Sequence, residues 1–364
     1  MPPIPAGEAR RDLSSRPRGR YAPSPTGPVH VGNARSALAA WLSVRRRGGT
    51  FVWREEDLDP PRVIPGMAAE QRADLAWLGL DWDEGPDAGG PYGPYRQSQR
   101  SPLYEAALAE LAAAGRLFPC RRSRRDLAAL AGRAGMDGTP GMGGMVEMVE
   151  AAGIASAPHG PDRLPPYPAA WRPRRLAAGW FAALCSAPRP DAALRFRTGA
   201  REVRFVDRVQ GAQRERVDLT AGDFVLKRRD GLYAYQLAVV VDDLRMEIDE
   251  VVRGADLLAS TARQVQLIAA LGGRRPAYAH VPLVLGAGGE KLSKRDPALT
   301  LAGLRAAGAA PAQVTGYLAW SLGLLDAPRP CLPADLAADF DWRRVGRGDF
   351  VLPEDVTARV LAVR

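Results

Sequence analysis

The residues best suited to chemistry fall in two short stretches far apart in the chain. Residues 20–35 read RYAPSPTGPVHVGNAR, in which His30, Gly32 and Asn33 follow a Pro/Ser/Gly turn and precede a run expected to be helical over 34–44. The first-turn amides of a helix lack partners and its dipole favours negative charge, so such a turn is suited to an anion. His30 can donate to a phosphate oxygen, and Gly32 lets backbone or an adenine ring approach where a Cβ would collide. Some 260 residues later, GAGGEKLSKR at 286–295 places Lys291 and Lys294 behind glycines that allow a loop to move over a ligand. Between these lie an acidic cluster, WREEDLDPP at 53–61, and two further stretches, YAYQLAVVVDD at 233–243 and VVRGADLL at 251–258. The acidic cluster closes an expected strand at 51–53, the end at which open α/β sheets keep their ligands. Glu55 within it reads as part of a solvated turn.

These stretches need a scaffold. Helices are expected at 68–78, 104–114 and 260–271, short strands within 195–208 and at 222–226, 248–253 and 278–285, and helical structure after the lysine loop. Strands alternating with helices imply a mostly parallel, doubly wound sheet, a Rossmann-like α/β fold. At 364 residues there is room for two domains or for one with insertions. Residues 1–16 lack the apolar core of a signal peptide and read as a disordered leader, and no apolar run reaches membrane-spanning length. Three cysteines, Cys120, Cys185 and Cys331, give no disulfide framework, so a reducing cytoplasm is expected. A formal charge of +9 permits a polyanionic partner such as RNA, although arginine-rich composition alone produces the same balance. Five arginines between 116 and 125 flank Cys120, and they either bind RNA phosphates or form a solvated basic face. Residues 132–160, rich in glycine and methionine, read as a flexible insertion in which His159 has no specific role.

Taken in order, these stretches resemble the class I aminoacyl-tRNA synthetases. HVGN (30–33) stands where that family has HIGH, and KLSKR (291–295) where it has KMSKS. Within the class, RYAPSPTGPVHVGNAR, WREEDLD, YAYQLAVVVDD, VVRGADLL and STARQ resemble the glutamate branch. The chain looks most like that branch's truncated paralogues, which glutamylate queuosine in tRNA(Asp). The resemblance implies a Rossmann-like catalytic domain in two halves, 17–114 and 204–285. An acceptor-type subdomain (115–203, flexible at 132–160) is inserted between them, and the KLSKR loop with a short helical segment follows at 286–364. About 70 residues after Lys294 (364 minus 294) are too few for an anticodon-binding domain.

The resemblance also implies the roles. ATP, with its Mg²⁺, is expected on His30, Gly32, Asn33 and Lys294, with Lys291 beside it and His30, Lys291 and Lys294 as the catalytic set. Glutamate is expected on Arg20, Ala22, Ser24, Glu56, Tyr235 and Arg253: the two arginines and the tyrosine on its side-chain carboxylate, Ser24 and Glu56 on its α-amino group. Asp242, Asp243 and Asp256 are left as structural or supporting groups. The expected activity is activation of L-glutamate without tRNA, then transfer to the wobble queuosine in the anticodon loop of tRNA(Asp). A compact glutamyl-tRNA synthetase charging tRNA(Glu) and a non-catalytic RNA-binding paralogue remain the alternatives. Many relatives hold zinc with Cys-x-Cys and Tyr-x-x-x-Cys; here those places read Cys120, Arg122, Tyr167 and Trp171, with Cys185 displaced, so no zinc is expected.

Overall fold

The computed structural model describes residues 16–134, 165–186, 190–292 and 297–364. Its largest sheet grows outward from β1 (Arg18–Tyr21). On one side β1 pairs in parallel with β2 (Thr50–Trp53), and on the other with β8 (Glu250–Gly254). Beyond β8 come β9 (Ala277–Val281), β5 (Val203–Asp207) and β6 (Gly211–Glu215), for an order of β2-β1-β8-β9-β5-β6. All neighbours are parallel except the β5–β6 hairpin. The sheet therefore joins an early half to a late half at β1 and β8, and a crevice opens at their carboxyl ends.

Strand residues alternate between two cores, as a pleated backbone requires. Phe51, Trp53 and Val252 face a core built on the Val31–Arg45 helix and the late helices Pro311–Ser321 and Val356–Leu361. Val52, Val251 and Tyr278 face the other core, lined by the helices Ser101–Ala113, Tyr235–Arg245 and Leu258–Ala270. Helices on both faces make the sheet doubly wound, as the sequence implies. The Val31–Arg45 helix is buried nearly all round and starts three residues earlier than expected. It packs so close to β1 that a Cβ on Gly19 would collide with Val44.

A second, smaller antiparallel sheet is formed by β3 (Leu117–Cys120), β4 (Ala193–Phe196) and β7 (Phe224–Lys227), in the order β3-β4-β7. The sheets interleave in sequence, since β5 and β6 join the large one before β7 returns to the small one. The single strand expected over 278–285 is two, because Pro282 has no N–H to continue a ladder. After it, β10 (Val284–Leu285) pairs in parallel with β11 (Phe350–Val351).

Candidate active site

The crevice at the ends of β1 and β8 is a cleft of about 350 Å³, and every expected site residue among the described residues lines it. Lys294 lies outside the described residues, as does His159.

One wall is the start of the Val31–Arg45 helix. His30 is its N-cap, and the ring Nδ1 accepts from the amides of Gly32 (3.1 Å) and Asn33 (3.3 Å). This use of Nδ1 as acceptor puts the proton of a neutral ring on Nε2, the nitrogen suited to donate to a phosphate oxygen. Gly32 is closely packed: a Cβ there would lie 3.1 Å from the His30 ring, which would have to give way, and 3.5 Å from Val284. Ala22 and Ser24 come from the loop between β1 and this helix. Gln71 pins that loop through the carbonyls of Ser24 (3.2 Å) and Gly27 (2.7 Å), and the Glu56 amide bonds the Pro23 carbonyl at 3.0 Å.

The opposite wall concentrates charge. Arg20, in β1, reaches Asp243 (3.4 Å) and the Val252 carbonyl (3.1 Å). Arg253, in β8, is 3.4 Å from the Tyr235 hydroxyl at the start of the Tyr235–Arg245 helix. Between them Arg54, fully buried, binds Asp243 at 2.7 Å and Glu56 at 3.0 Å, with Asp242 at 3.8 Å. Burial pushes the Glu56 carboxyl above its usual range even though Arg54 opposes it. For Asp243 burial acts the same way, but Arg54 and Arg20 together outweigh it and hold that carboxyl low. Burial likewise raises the Tyr235 phenol, keeping it a neutral donor.

Arg54 was not singled out from the sequence, and only its position beside Glu56 pointed to it. Asp242 and Asp243 are supporting groups: Asp242 ties together Arg100 (2.6 Å), Gln97 (2.7 Å) and Tyr104 (2.9 Å). Glu55 corrects the expectation of a solvated turn. It is buried, held by Arg72 and by Arg96 at 2.8 Å, and its amide and carbonyl bond Tyr95 and Gln97. Lys291 closes the cleft's third side beside Asp256, 3.6 Å away, on a turn in which the Gly286 amide bonds the Glu290 carbonyl.

Over residues 17–138 and 186–321 the chain matches the family described as tRNA synthetases class I (E and Q), catalytic domain. The chain belongs to that family. This synthetase is similar to a protein of Symbiobacterium thermophilum named Glutamyl-Q tRNA(Asp) synthetase, 47% identical over 93% of this chain and 97% of the relative. A protein of Nitratidesulfovibrio vulgaris with the same name is 42% identical over 94% and 98%. Among solved structures, the glutamate tRNA ligase of Elizabethkingia meningosepticum in complex with its amino acid superposes with a TM-score of 0.74 at 27% identity. That match covers 95% of this chain and 69% of the ligase. The synthetase is therefore a ligase of known class, and ATP with Mg²⁺ is that class's usual cosubstrate.

Beside the smaller sheet, the four positions singled out in the sequence as the places of a zinc site do converge. The Cys120 thiol is 3.3 Å from the Tyr167 hydroxyl, which is 3.4 Å from the Trp171 carbonyl. Tyr167 and Trp171 meet edge to face at 5.5 Å, and the Arg122 guanidinium lies 4.9 Å from the Trp171 ring centre. Arg195 covers the Tyr167 ring at 4.4 Å. One thiol and one phenol do not fit a four-coordinate zinc. What fills the place is an aromatic cluster with two cation–π contacts.

Proposed function

We propose that this synthetase activates L-glutamate with ATP in the absence of tRNA and transfers it to queuosine at the wobble position of tRNA(Asp). The observation that carries this reading is a single cleft in which a helix N-terminus capped by His30 faces Arg20, Arg253, Tyr235 and Glu56. The relatives named for that reaction, matched along nearly their whole length, support the choice of tRNA. The work is assigned to the cytoplasm.

In the activation step a glutamate α-carboxylate oxygen attacks the α-phosphorus of ATP and pyrophosphate leaves. The protein contributes position and charge. Arg253 and Arg20 would hold the side-chain carboxylate, since a guanidinium fork suits a carboxylate, and Tyr235 would donate to the same group. Ser24, the backbone at Ala22 and Glu56 would take the α-amino group; Arg54 keeps Glu56 aimed there. His30, whose Nδ1 already accepts from the amides of Gly32 and Asn33, would meet the phosphates through Nε2, with Gly32 and Asn33 bordering the nucleotide. Lys291 and Lys294 would neutralise charge developing on the leaving pyrophosphate. In the second step a hydroxyl of the queuosine cyclopentene diol attacks the acyl carbon of the mixed anhydride, AMP leaves, and the hydroxyl proton passes to the departing phosphate, so no further catalytic group is needed. We further infer that the inserted subdomain works without zinc and that its arginines border the RNA.

The test is transfer of labelled glutamate to three RNAs: tRNA(Asp) with queuosine, tRNA(Asp) with unmodified guanosine, and tRNA(Glu). Label on the first alone is expected. Label on tRNA(Glu), or equal label on both forms of tRNA(Asp), overturns the reading in favour of a compact glutamyl-tRNA synthetase.

A further inference from the structure

Behind Arg253, on the side away from the cleft, a chain of polar groups runs into the sheet. Asp207 ends β5 and His280 lies in β9; both are buried, as is Thr261 on the Leu258–Ala270 helix. The Asp207 carboxylate meets His280 Nδ1 at 2.6 Å and accepts from the amides of Val209 (3.0 Å), Gln210 (2.8 Å) and His280 itself (3.1 Å). On the other side of the ring, Arg253 Nε donates to His280 Nε2 at 2.9 Å, and Arg253 Nη2 donates to Thr261 Oγ1 at 2.9 Å.

The donors settle the tautomer. An arginine Nε carries only a hydrogen to give, so His280 Nε2 must be the acceptor and the ring proton rests on Nδ1, facing Asp207. Burial, with Arg253 nearby, pulls the imidazole down to about 4, so it remains neutral and able to accept. Asp207 is held at about 2: burial raises it, but the hydrogen bonds from the His280 ring and from the Gln210 and His280 amides together outweigh burial. The relay occupies one hydrogen on Nε and one on Nη2, and Tyr235 takes one on Nη1. The guanidinium is left with two of its five donors for a ligand.

We propose that Asp207 and His280 are positioning residues for the amino acid: they lock the plane and reach of the Arg253 fork, and so select a side-chain carboxylate at glutamate's length. A ring nitrogen that only accepts fixes the fork more firmly than a hydroxyl or water, which can reverse its role, much as outer groups orient metal-bound histidines. The proposal rests on Arg253 being the glutamate anchor, and the experiment separates the two claims.

ATP–pyrophosphate exchange is measured for Arg253→Ala, His280→Ala and His280→Gln, with melting temperature recorded for each. In His280→Ala, KM for glutamate is expected to rise about 10–100-fold with KM for ATP little changed, the scale on which orienting groups act. His280→Gln restores an acceptor at the place of Nε2 and should recover most of the loss. An unchanged glutamate KM in Arg253→Ala defeats the anchor reading. A raised KM there with normal values in both folded His280 variants defeats the relay alone. Nitrogen NMR of the unaltered protein, which has three histidines, covers the case where these variants do not fold. His280 should carry its proton on Nδ1 at neutral pH and shift when glutamate is added without ATP. An Nε2-protonated ring, or a signal indifferent to bound glutamate, overturns the proposal.

Discussion

Arg54 offers the sharpest test of how the charged wall is built. Its guanidinium is fully buried and lies within 4 Å of three carboxylates, at 2.7 Å from Asp243, 3.0 Å from Glu56 and 3.8 Å from Asp242. Arg54→Met keeps most of the volume and removes the charge. Removing one partner of a buried ion pair costs about 3–5 kcal/mol, because the remaining charges keep their desolvation without compensation. Against a total stability of about 5–15 kcal/mol this is a large fraction. At roughly 2–4 °C per kcal/mol, the melting temperature should fall by about 6–20 °C. A second effect follows from the sign of the Glu56 shift. Burial already raises that carboxyl and Arg54 opposes the rise. Without Arg54 it moves further up, so Glu56 holds its negative charge less firmly and its attraction for an α-ammonium group weakens. Measured from about pH 6 to about 8.5, the glutamate KM of the variant should therefore improve with rising pH more steeply than that of the parent. Thermal melting and exchange kinetics read both effects. A variant that melts within about 2 °C of the parent, with the same glutamate KM across that range, refutes the reasoning.

Lys294→Ala should lower glutamate-dependent exchange by about two orders of magnitude, the scale of losing one charge stabiliser in a dry site, with glutamate affinity nearly unchanged. Arg253→Ala should abolish glutamate activation while ATP still protects against melting, a separation that a misfolded variant would not give. Metal analysis of untagged protein should find well below one zinc per chain, and chelators should leave the melting temperature where it was. Finally, His280 is neutral when folded, with its pKa lowered to about 4, but it titrates normally when unfolded. Stability should be unaffected by this group above its ordinary value near 6.5 and should fall as pH drops from there to about 4, by roughly 3 kcal/mol in all. Denaturant titrations across that range measure the slope, which His280→Gln should flatten.

The elements that carry local signals were readable in the sequence. The Pro/Gly turn, the helix that follows His30 and the glycine run before Lys291 announce themselves within a few residues. The charged wall does not, because its bonds join distant positions: Arg54 to Asp243 spans 189 residues, and His280 to Asp207 spans 73. No periodicity marks a buried arginine or a histidine that accepts from another cation. Tyr235 and Arg253 were reached through resemblance, since neither bears a pattern that separates a ligand contact from a core aromatic or a surface ion pair. Glu55 shows the reverse error. Its acidic neighbours suggested solvent, yet Arg72 and Arg96 close over it from a helix and a loop that composition does not bring near.

The central place of β1 has a consequence for how the protein is made. Its hydrogen-bonding partner on one side is β8, and the buried Arg20 waits for Asp243, 223 residues further along. At a synthesis rate of about 5–20 residues per second, roughly 10–45 seconds pass before that partner exists. During this interval the nascent chain holds an unfilled parallel edge and a cation without its carboxylate, the kind of surface that invites mispairing. The Val31–Arg45 helix, packed directly on β1, is ready to shield one face of the unfinished sheet. Substitutions at the Gly19–Val44 contact should thus show first as lower soluble yield during expression, before any loss in the finished enzyme.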